Sequence, residues 1–286
     1  MASSMCLAIS RFWSEAELAA EFIFDEPHAR RFAEARQAML RPILSDLRER
    51  LQIRSVADMG CGVGYFSGFL RDLGFEVAGF DGRPQNIEEA KRRNSGIEFR
   101  HADVEDPSII DLGPYDMVLC VGLLYHLENP LRALRNLSAM AGRLLLIESY
   151  ATPQKETALY LREEPALDDQ SLTSLALYPS ESALIKICYK IGFPWVYRFV
   201  SFPNHEDFKD CIGRKRQRTM LLASRSPLDI PCLTLVPEPQ DLSDPWQTPT
   251  GKLLGLWGRL KLWIGAKRTK KAFELKTGPE AGRGIR

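Results

Sequence analysis

The pattern of apolar and polar positions separates a helical N-terminal stretch from a longer region in which short strands and helices alternate. Residues 14–50 carry apolar side chains at helical spacing, and Pro42 is expected to kink or divide that helix. Short apolar runs predict strands at residues 53–59, 76–81, 97–103, 115–122 and 142–149. Helical patterns lie between them at residues 63–73, 85–94, 107–111 and 129–141. This alternation is typical of a parallel sheet covered by helices on both faces.

Residues 150–179 interrupt the alternation with a polar, proline-containing segment, which we interpret as an insertion. A helix is then expected from Ser180 to Gly192, followed by strands at residues 196–200 and 216–225. The predicted fold is therefore α/β: a Rossmann-like, doubly wound, seven-stranded and mostly parallel sheet. The pattern divides the chain into an N-terminal helical cap, a core domain that contains the insertion, and a proline-rich linker with an amphipathic tail, at residues 1–50, 51–225 and 226–286 respectively.

Composition adds little beyond the class of protein. The chain has 286 residues, of which 45% are hydrophobic and 26% are charged, as in an ordinary globular protein. Lys and Arg number 38 and Asp and Glu number 37, so net charge gives no argument for a nucleic-acid partner. The six cysteines include no close pair, and neither a signal-peptide pattern nor an apolar run of ~18 residues is seen. We therefore expect a cytoplasmic protein.

The segment "DMGCGVG" ends the first predicted strand with Asp58 and then supplies three closely spaced glycines. Glycines permit a tight turn and close approach of a ligand to the backbone, and the helix that follows offers free N–H donors. The dinucleotide-binding pattern G-x-G-x-x-G is not met, because Tyr65 occupies the position of its last glycine. A carboxylate at Asp58 would also repel a pyrophosphate, whereas it suits a cationic amino group. The loop therefore predicts a site for part of a nucleotide-like ligand with an amino-acid end.

This segment resembles the first motif, near E/D-x-G-x-G-x-G, of class I S-adenosylmethionine-dependent methyltransferases. The resemblance implies the fold described above and S-adenosylmethionine as the cofactor. It assigns the amino-acid end of the cofactor to one group of loop residues, namely Asp58, Gly60, Cys61, Gly62 and Gly64. The alternative is a glycine-rich turn that holds no ligand.

Acidic residues also end the next two predicted strands. Asp81, followed by Gly82, stands where a carboxylate accepts both ribose hydroxyls of an adenosine, although an acid at a strand end is also a common turn former. The resemblance implies that Asp103 lies near the adenine amino group and that Val104 stacks on the ring. Asp103 could instead cap the helix that follows, for which Asp106 is the better candidate.

The segment "GLLYHLENP" is the most specific of the chain, because it follows a buried strand whose carboxyl end should face the ligand crevice. We expect Val121 to line the cofactor site, and Tyr125 and His126 to face the methyl end of the cofactor. Alternatively, Tyr125 packs in the core and His126 satisfies a backbone carbonyl. The segment resembles the G-V-L-Y-H-x-x-x-P stretch of the tRNA wobble-uridine carboxymethyl-transferring enzymes and their relatives. That resemblance covers residues 53–225 and does not identify the acceptor.

Methyl transfer from a sulfonium is an in-line displacement, and an oxygen acceptor also needs a general base. His126 is the first candidate for that base and Glu148 the second, while Tyr125 is a third residue expected to act at the reacting centre. No metal site is expected. The insertion at residues 150–179 should form a lid or a wall of the acceptor site, or else serve only as structure.

The reaction expected is methyl transfer to an O or N atom of an unidentified small molecule or glycan. A first alternative is carboxymethyl transfer to tRNA, which needs basic groups such as the cluster within residues 214–218. A second alternative is a non-catalytic binding protein that keeps the fold. Basic, tryptophan-containing residues 252–271 predict a helix that binds an inner membrane surface, its own core or a second subunit. Oligomeric state does not follow from the sequence.

Overall fold

The structure, a computed structural model, describes residues 22–164, 170–210 and 215–240. The chain divides into two compact units, Met1–Gln240 and Asp241–Arg286, and all described residues belong to the first. The start of the predicted N-terminal helix and the whole amphipathic tail, including residues 252–271, therefore lie outside the described residues. None of the helices in the described ranges combines the length and hydrophobicity needed to cross a bilayer.

A mixed sheet forms the centre of the described part of the chain. Its strands in chain order are β1 Ser55–Met59, β2 Glu76–Asp81, β3 Glu98–His101, β4 Tyr115–Val121, β5 Ala141–Tyr150, β8 Trp195–Phe199, β9 Arg218–Ser224 and β10 Leu233–Leu235. Across the sheet they run β10-β8-β9-β5-β4-β1-β2-β3. Strands β1 to β5 pair in parallel, while β9, β8 and β10 are added in antiparallel fashion. The predicted Rossmann-like class is confirmed.

Helices cover both faces of this sheet. They are α1 Pro27–Arg50, α2 Tyr65–Asp72, α3 Pro84–Arg93, α4 Pro130–Met140 and α5 Glu181–Lys190, with short 3₁₀ turns at Ile23–Asp25, Pro107–Leu112, Leu124–His126 and Glu206–Phe208. Ser180 begins α5 as predicted, because its hydroxyl accepts a hydrogen bond from Ala183 N at 3.1 Å. Helix α1 continues through Pro42, since Leu40, Ile43 and other residues of one face are buried against the sheet.

Alternate residues of the central strands supply two separate cores. Val118 and Cys120 of β4 pack with α4 and α5 on one face, whereas Met117 and Leu119 pack with α1 and α2 on the other. Strands buried on both faces are held rigidly, so the loops at their carboxyl ends start from fixed positions. In open α/β sheets the ligand crevice lies at this edge, outside the carboxyl ends of the strands.

Two parts of the fold differ from the sequence-based expectation. The described sheet has eight strands rather than seven, because β10 lies in the region predicted to be a linker. It is only three residues long, and because the neighbouring prolines lie outside it, its backbone can pair with β8. The insertion contains a separate antiparallel hairpin, formed by β6 Leu159–Glu163 and β7 Leu175–Pro179.

Candidate functional site

The loop between β1 and α2 presents bare backbone at the carboxyl edge of the sheet. Gly60, Gly62 and Gly64 have φ values of +72°, +52° and +85°, a region that favours glycine. The N–H groups of Gly60 and Cys61 donate to Phe80 O of β2 at 2.8 and 2.9 Å. The loop is therefore fixed to the neighbouring strand while most of its surface carries no side chain.

Asp81, at the end of β2, is tied directly to this loop. Its Oδ2 accepts a hydrogen bond from Gly62 N at 2.9 Å, and its Oδ1 accepts from Arg83 N at 2.9 Å and from Asn86 Nδ2 at 3.1 Å. These donors fix the orientation of the carboxylate at the mouth of the crevice. A carboxylate oxygen has further lone pairs, so Asp81 retains acceptor capacity toward a ligand.

A first cavity extends from this carboxylate along the ends of β2, β3 and β4. Asp81, Gly82, Asp103 and Val104 are among its lining residues. Asp103 Oδ1 accepts from Glu105 N at 2.8 Å within its own turn, while the cap of the next helix is Asp106, whose Oδ1 accepts from Ser108 N. Asp103 is thus not used as that cap.

Two apolar side chains narrow the crevice from outside. A Cβ added at Gly62 would lie 2.9 Å from the Phe24 ring, and one added at Gly82 would lie 2.9 Å from Leu172 Cδ1. Phe24 precedes α1, and Leu172 belongs to the insertion and is half exposed. Gly62, whose φ is also positive, is therefore required for the close approach of Phe24, whereas the tip of the half-exposed Leu172 side chain could move away from a Cβ at position 82.

Asp58 is a buried carboxylate with few partners. It is 2% exposed, and Ser67 Oγ of α2 donates to its Oδ2 at 2.6 Å. Burial raises the pKa of Asp58 to about 6, and the nearby Asp81 charge acts in the same direction. A cationic ligand group at this position would favour the ionised carboxylate.

A second cavity of about 460 Å³ adjoins the first at Gly60, Gly122 and His126. Its walls come from α1, the glycine loop, the end of β4, β5, the insertion hairpin and β9. They include the side chains of Arg36, Asp58, Tyr125, Tyr150, Tyr178 and Arg218. Aromatic, basic and acidic groups from distant parts of the chain thus converge on one chamber.

A buried charge network forms the floor of this chamber. Glu148 of β5 is fully buried, with Oε1 accepting from Arg218 Nη1 at 2.9 Å and Oε2 lying 3.0 Å from Arg36 Nη2. Arg218 also donates to Tyr125 Oη at 3.0 Å and stacks 3.7 Å from the centre of the Tyr150 ring. Arg36 is 9% exposed, and its Nε has no hydrogen-bond partner.

Most of the sequence-predicted residues line one or both of the two main cavities. Asp81, Gly82, Asp103 and Val104 line the first cavity, whereas the second is lined by Asp58, Cys61, Val121 and Tyr125; Gly60 and His126 line both. Gly62 bonds to Asp81, while Gly64 faces a separate surface cavity beside Asn94. Glu148 lines neither main cavity and lies behind the two arginines.

Sequence reasoning did not single out Arg36 or the inward role of Arg218. Arg36 occurs within the apolar stripe of α1, four residues from both Phe32 and Leu40, and this position on the buried face was the available signal. The basic cluster within residues 214–218, considered for tRNA binding, includes Arg218, but this residue is the first of β9 and is 5% exposed. A cation opening a buried strand is a signal for a buried partner.

Comparison with known proteins gives one family match and several partial relatives. The model of the family described as "Methyltransferase domain" matches residues 27–197. The tRNA U34 carboxymethyltransferase of Campylobacter jejuni is 27% identical over 165 residues, 54% of this chain and 53% of that protein. The ubiquinone biosynthesis O-methyltransferase of Bordetella avium is 32% identical over 101 residues, 34% and 42% respectively. The chain spans about half the length of the curated relatives it matches.

Among solved structures, the N-terminal domain of EvdMO1 with SAH bound is similar in fold. The TM-score is 0.52 with 19% sequence identity, and the alignment covers 66% of this chain and 80% of that one. At this identity the likeness concerns the arrangement of the sheet and helices alone.

Proposed function

This chain belongs to the methyltransferase domain family, and we propose that it transfers the methyl group of S-adenosylmethionine to an O or N atom of a small-molecule or glycan acceptor. The observation that carries this proposal is the hydrogen bond of 2.9 Å between Gly62 N and the Asp81 carboxylate. It joins the bare glycine loop to the acid suited to a ribose, with buried Asp58 beside them. This cofactor requires three elements: a loop of bare backbone, a carboxylate that accepts hydrogen bonds from the ribose, and a carboxylate that binds the ammonium group.

The residues present fit the two ends of the cofactor. Toward the adenosine, Asp81 would accept from the ribose hydroxyls, Asp103 would lie near the adenine, and Val104 would pack on the ring. Toward the amino-acid end, Asp58 would hold the ammonium group. The unpartnered Nε of buried Arg36 supports a contact with the carboxylate of that same end.

Bound S-adenosylmethionine supplies an electrophilic methyl group, so the protein's main task is alignment and exclusion of water. Phe24 and Leu172 lie over the glycines and would exclude water from the crevice. His126, which borders both cavities, is the favoured base for an acceptor hydroxyl. Glu148 is less suited to that role because two guanidinium groups occupy its carboxylate; it holds Arg36 and Arg218 in place.

A second candidate function, carboxymethyl transfer to a tRNA, is favoured by a basic opening beside the second cavity. The opening is a further cavity of about 510 Å³, which shares Tyr150 and Tyr178 with the second cavity. Among the described residues, its lining includes Arg162, Lys215 and Arg216 and contains no acidic residue. The match of 165 residues to a tRNA U34 carboxymethyltransferase points the same way.

The charges around the second cavity, where the amino-acid end of the cofactor would bind, favour the first candidate. A carboxylate on the transferred group would need surplus positive charge there. Arg218 lies 2.9 Å from Glu148 and 3.4 Å from Asp207, and Arg36 lies 3.0 Å from Glu148. Two cations facing two carboxylates leave no surplus, which suits the ordinary sulfonium donor.

Two measurements test the proposal. Calorimetry should detect S-adenosylmethionine binding to the full chain, and failure to bind would overturn it. With methyl-labelled S-adenosylmethionine, label should enter phenols, catechols or amino sugars from a small-molecule panel rather than bulk tRNA. Label in tRNA, or tighter binding of the carboxylated donor than of the ordinary one, would favour the second candidate instead.

A further inference from the structure

The insertion supplies His126 with an acidic partner. Glu164, which directly follows β6, is 6% exposed, and its Oε2 lies 2.8 Å from Nδ1 of His126. The same carboxylate accepts from Ser171 N at 2.9 Å and from Tyr178 Oη at 3.1 Å. Three donors, one from the histidine segment and two from the insertion, therefore fix the orientation of one carboxylate.

The hairpin is also attached to the backbone of the histidine segment. Leu177 N of β7 donates to Leu127 O at 3.0 Å, one residue after His126. The Tyr125 and Tyr178 rings meet edge to face with their centres 5.9 Å apart. These contacts mean that Glu164 and His126 are held on two elements fixed to each other, as a positioning contact requires.

We propose that Glu164 is a positioning residue, which holds neutral His126 in the Nδ1–H tautomer and so leaves Nε2 as the basic nitrogen of the site. The inference rests on the proposed function, in which His126 is the base. An ionised carboxylate only accepts hydrogen bonds, so the Nδ1 it contacts must carry the hydrogen. The imidazole tautomer is thereby set by a residue of the insertion.

The ionisation of Glu164 agrees with this role. Burial by itself would raise its pKa, but the hydrogen bond from His126, the positive charge that His126 carries when protonated, and the hydrogen bonds from Ser171 and Tyr178 together outweigh burial and hold the pKa below the ordinary value. Burial, followed by the Glu164 charge, raises the pKa of Tyr178, so that phenol remains a donor. The carboxylate is thus charged at neutral pH and accepts from three donors.

The chemical consequence concerns an acceptor hydroxyl. Nε2 of His126 takes the proton of the acceptor while the acceptor oxygen forms its bond to the methyl carbon. The carbon–sulfur bond breaks in the same step, and its electron pair stays on sulfur, which becomes a neutral thioether. The Glu164 carboxylate stabilises the imidazolium that results, in the manner of the orienting acid of a Ser-His-Asp triad.

Nitrogen-15 NMR of the histidine rings tests the tautomer without an acceptor. The chain has four histidines, and His126→Gln identifies the signal of interest. In the wild type, neutral His126 should carry its hydrogen predominantly on Nδ1. In Glu164→Ala it should revert to the Nε2–H form that an unconstrained histidine side chain prefers, whereas Glu164→Gln keeps an acceptor oxygen and should keep the Nδ1–H form.

Glu163→Ala is the matched control, because Glu163 is the adjacent, exposed residue of β6. It should leave the His126 tautomer unchanged. An Nε2–H tautomer in the wild type overturns the proposal whether or not any variant folds, and so does an unchanged tautomer in folded Glu164→Ala.

Calorimetry with S-adenosylmethionine on the same samples separates this inference from the proposed function. If wild type does not bind the cofactor, the proposed function fails while the tautomer result stands by itself. If cofactor binding is retained but His126 is not in the Nδ1–H form, the proposed function stands and the role of Glu164 is rejected.

Discussion

The two main cavities at the carboxyl edge of the sheet are assembled differently. The first is built mainly from the ends of three neighbouring strands, and its two acids, Asp81 and Asp103, both lie at such strand ends. The second depends on Arg36, Tyr125, Tyr178 and Arg218, which are far apart in the chain. The first cavity is therefore defined by local turns, whereas the second exists only after the whole unit has folded.

This difference predicts how each cavity responds to substitution. In the first, Asp81 and the glycine loop interact at a turn, so changes there should alter ligand affinity more than stability. In the second, Glu148 and Arg218 form a buried pair across β5 and β9, so changes there should alter stability first. Measuring both quantities for matched variants tests the comparison.

The largest expected effect is loss of stability in Arg218→Met. The substitution leaves the fully buried Glu148 with Arg36 as its remaining cationic neighbour at 3.0 Å, and breaking a buried pair in this way costs about 3–5 kcal/mol. Urea unfolding measures the loss. Lys215→Met is the control, since its ion pair with Asp210 spans 3.5 Å between two exposed, solvent-screened side chains and its loss should leave stability nearly unchanged. Equal losses in both variants would contradict a structural role for the buried network.

The next largest effect is loss of cofactor affinity in Asp81→Ala. We expect the Kd for S-adenosylmethionine to rise roughly 100-fold, because hydrogen bonds to a charged group contribute about 1.5–3 kcal/mol each. Calorimetry measures the change. Asp81→Asn keeps one acceptor oxygen for Gly62 N, so this variant shows how much of the lost affinity comes from a change in the geometry of the glycine loop. Asp111→Ala, at an exposed position, is the control. Unchanged affinity in Asp81→Ala would mean that the ribose of the cofactor does not bind at Asp81.

Asp58→Asn should change stability and affinity in opposite directions. The pKa of Asp58 in the folded protein is raised to about 6, so folding favours its protonated form, and that advantage is lost as the pH rises through 6. At pH 8 the variant without cofactor should be more stable than wild type by up to about 3 kcal/mol, and below pH 4 the two should be equal. Affinity for S-adenosylmethionine should fall about tenfold at pH 8, because the charged partner of its ammonium is lost.

Urea titrations at several pH values and calorimetry at pH 8 test these two effects separately. A variant that is less stable than wild type at pH 8 would mean that Asp58 is stabilised as an anion by the protein itself. Unchanged cofactor affinity would mean that the ammonium group binds elsewhere.

The fold was predictable to the extent that local patterns are strong. Strand β2, Glu76–Asp81, has the predicted bounds because a buried apolar run ends at an acid followed by glycine. The hairpin of β6 and β7 was not predicted, since most of β6 is exposed and its residues show no alternation. β10 was missed because three residues among prolines give no periodic signal.

The same limit applies to the site. The proximity of Asp58 and Asp81 follows from the rule that parallel strands end at one edge, and the structure brings both acids to the glycine loop. Nothing local distinguishes Glu164 from Glu163, although one is buried against His126 and the other is exposed. Long-range partners decide which of two adjacent acids enters the site.

The smallest effect concerns the N-terminal segment that brings Phe24 to Gly62. Next to Phe24, Asp25 accepts hydrogen bonds from Arg93 at 2.7 and 2.9 Å and from Tyr65 Oη at 2.6 Å. The Arg93 hydrogen bonds lower the pKa of Asp25 to about 2 despite partial burial. The stabilisation is thus fully present above the ordinary pKa of 3.8 and is lost as the pH falls towards 2.

Asp25→Asn should therefore loosen residues 22–26 by about 1 kcal/mol at pH 7, given the screening of partly exposed charges. Hydrogen exchange at Phe24 should become several-fold faster, and the Kd for S-adenosylmethionine should rise less than about fivefold. Glu34→Gln, at an exposed position of α1, is the control. A rise in Kd as large as that of Asp81→Ala would show that the cofactor cavity is not locally built, because a segment at least 32 residues from Asp58 in the sequence would then be as important as the strand ends themselves.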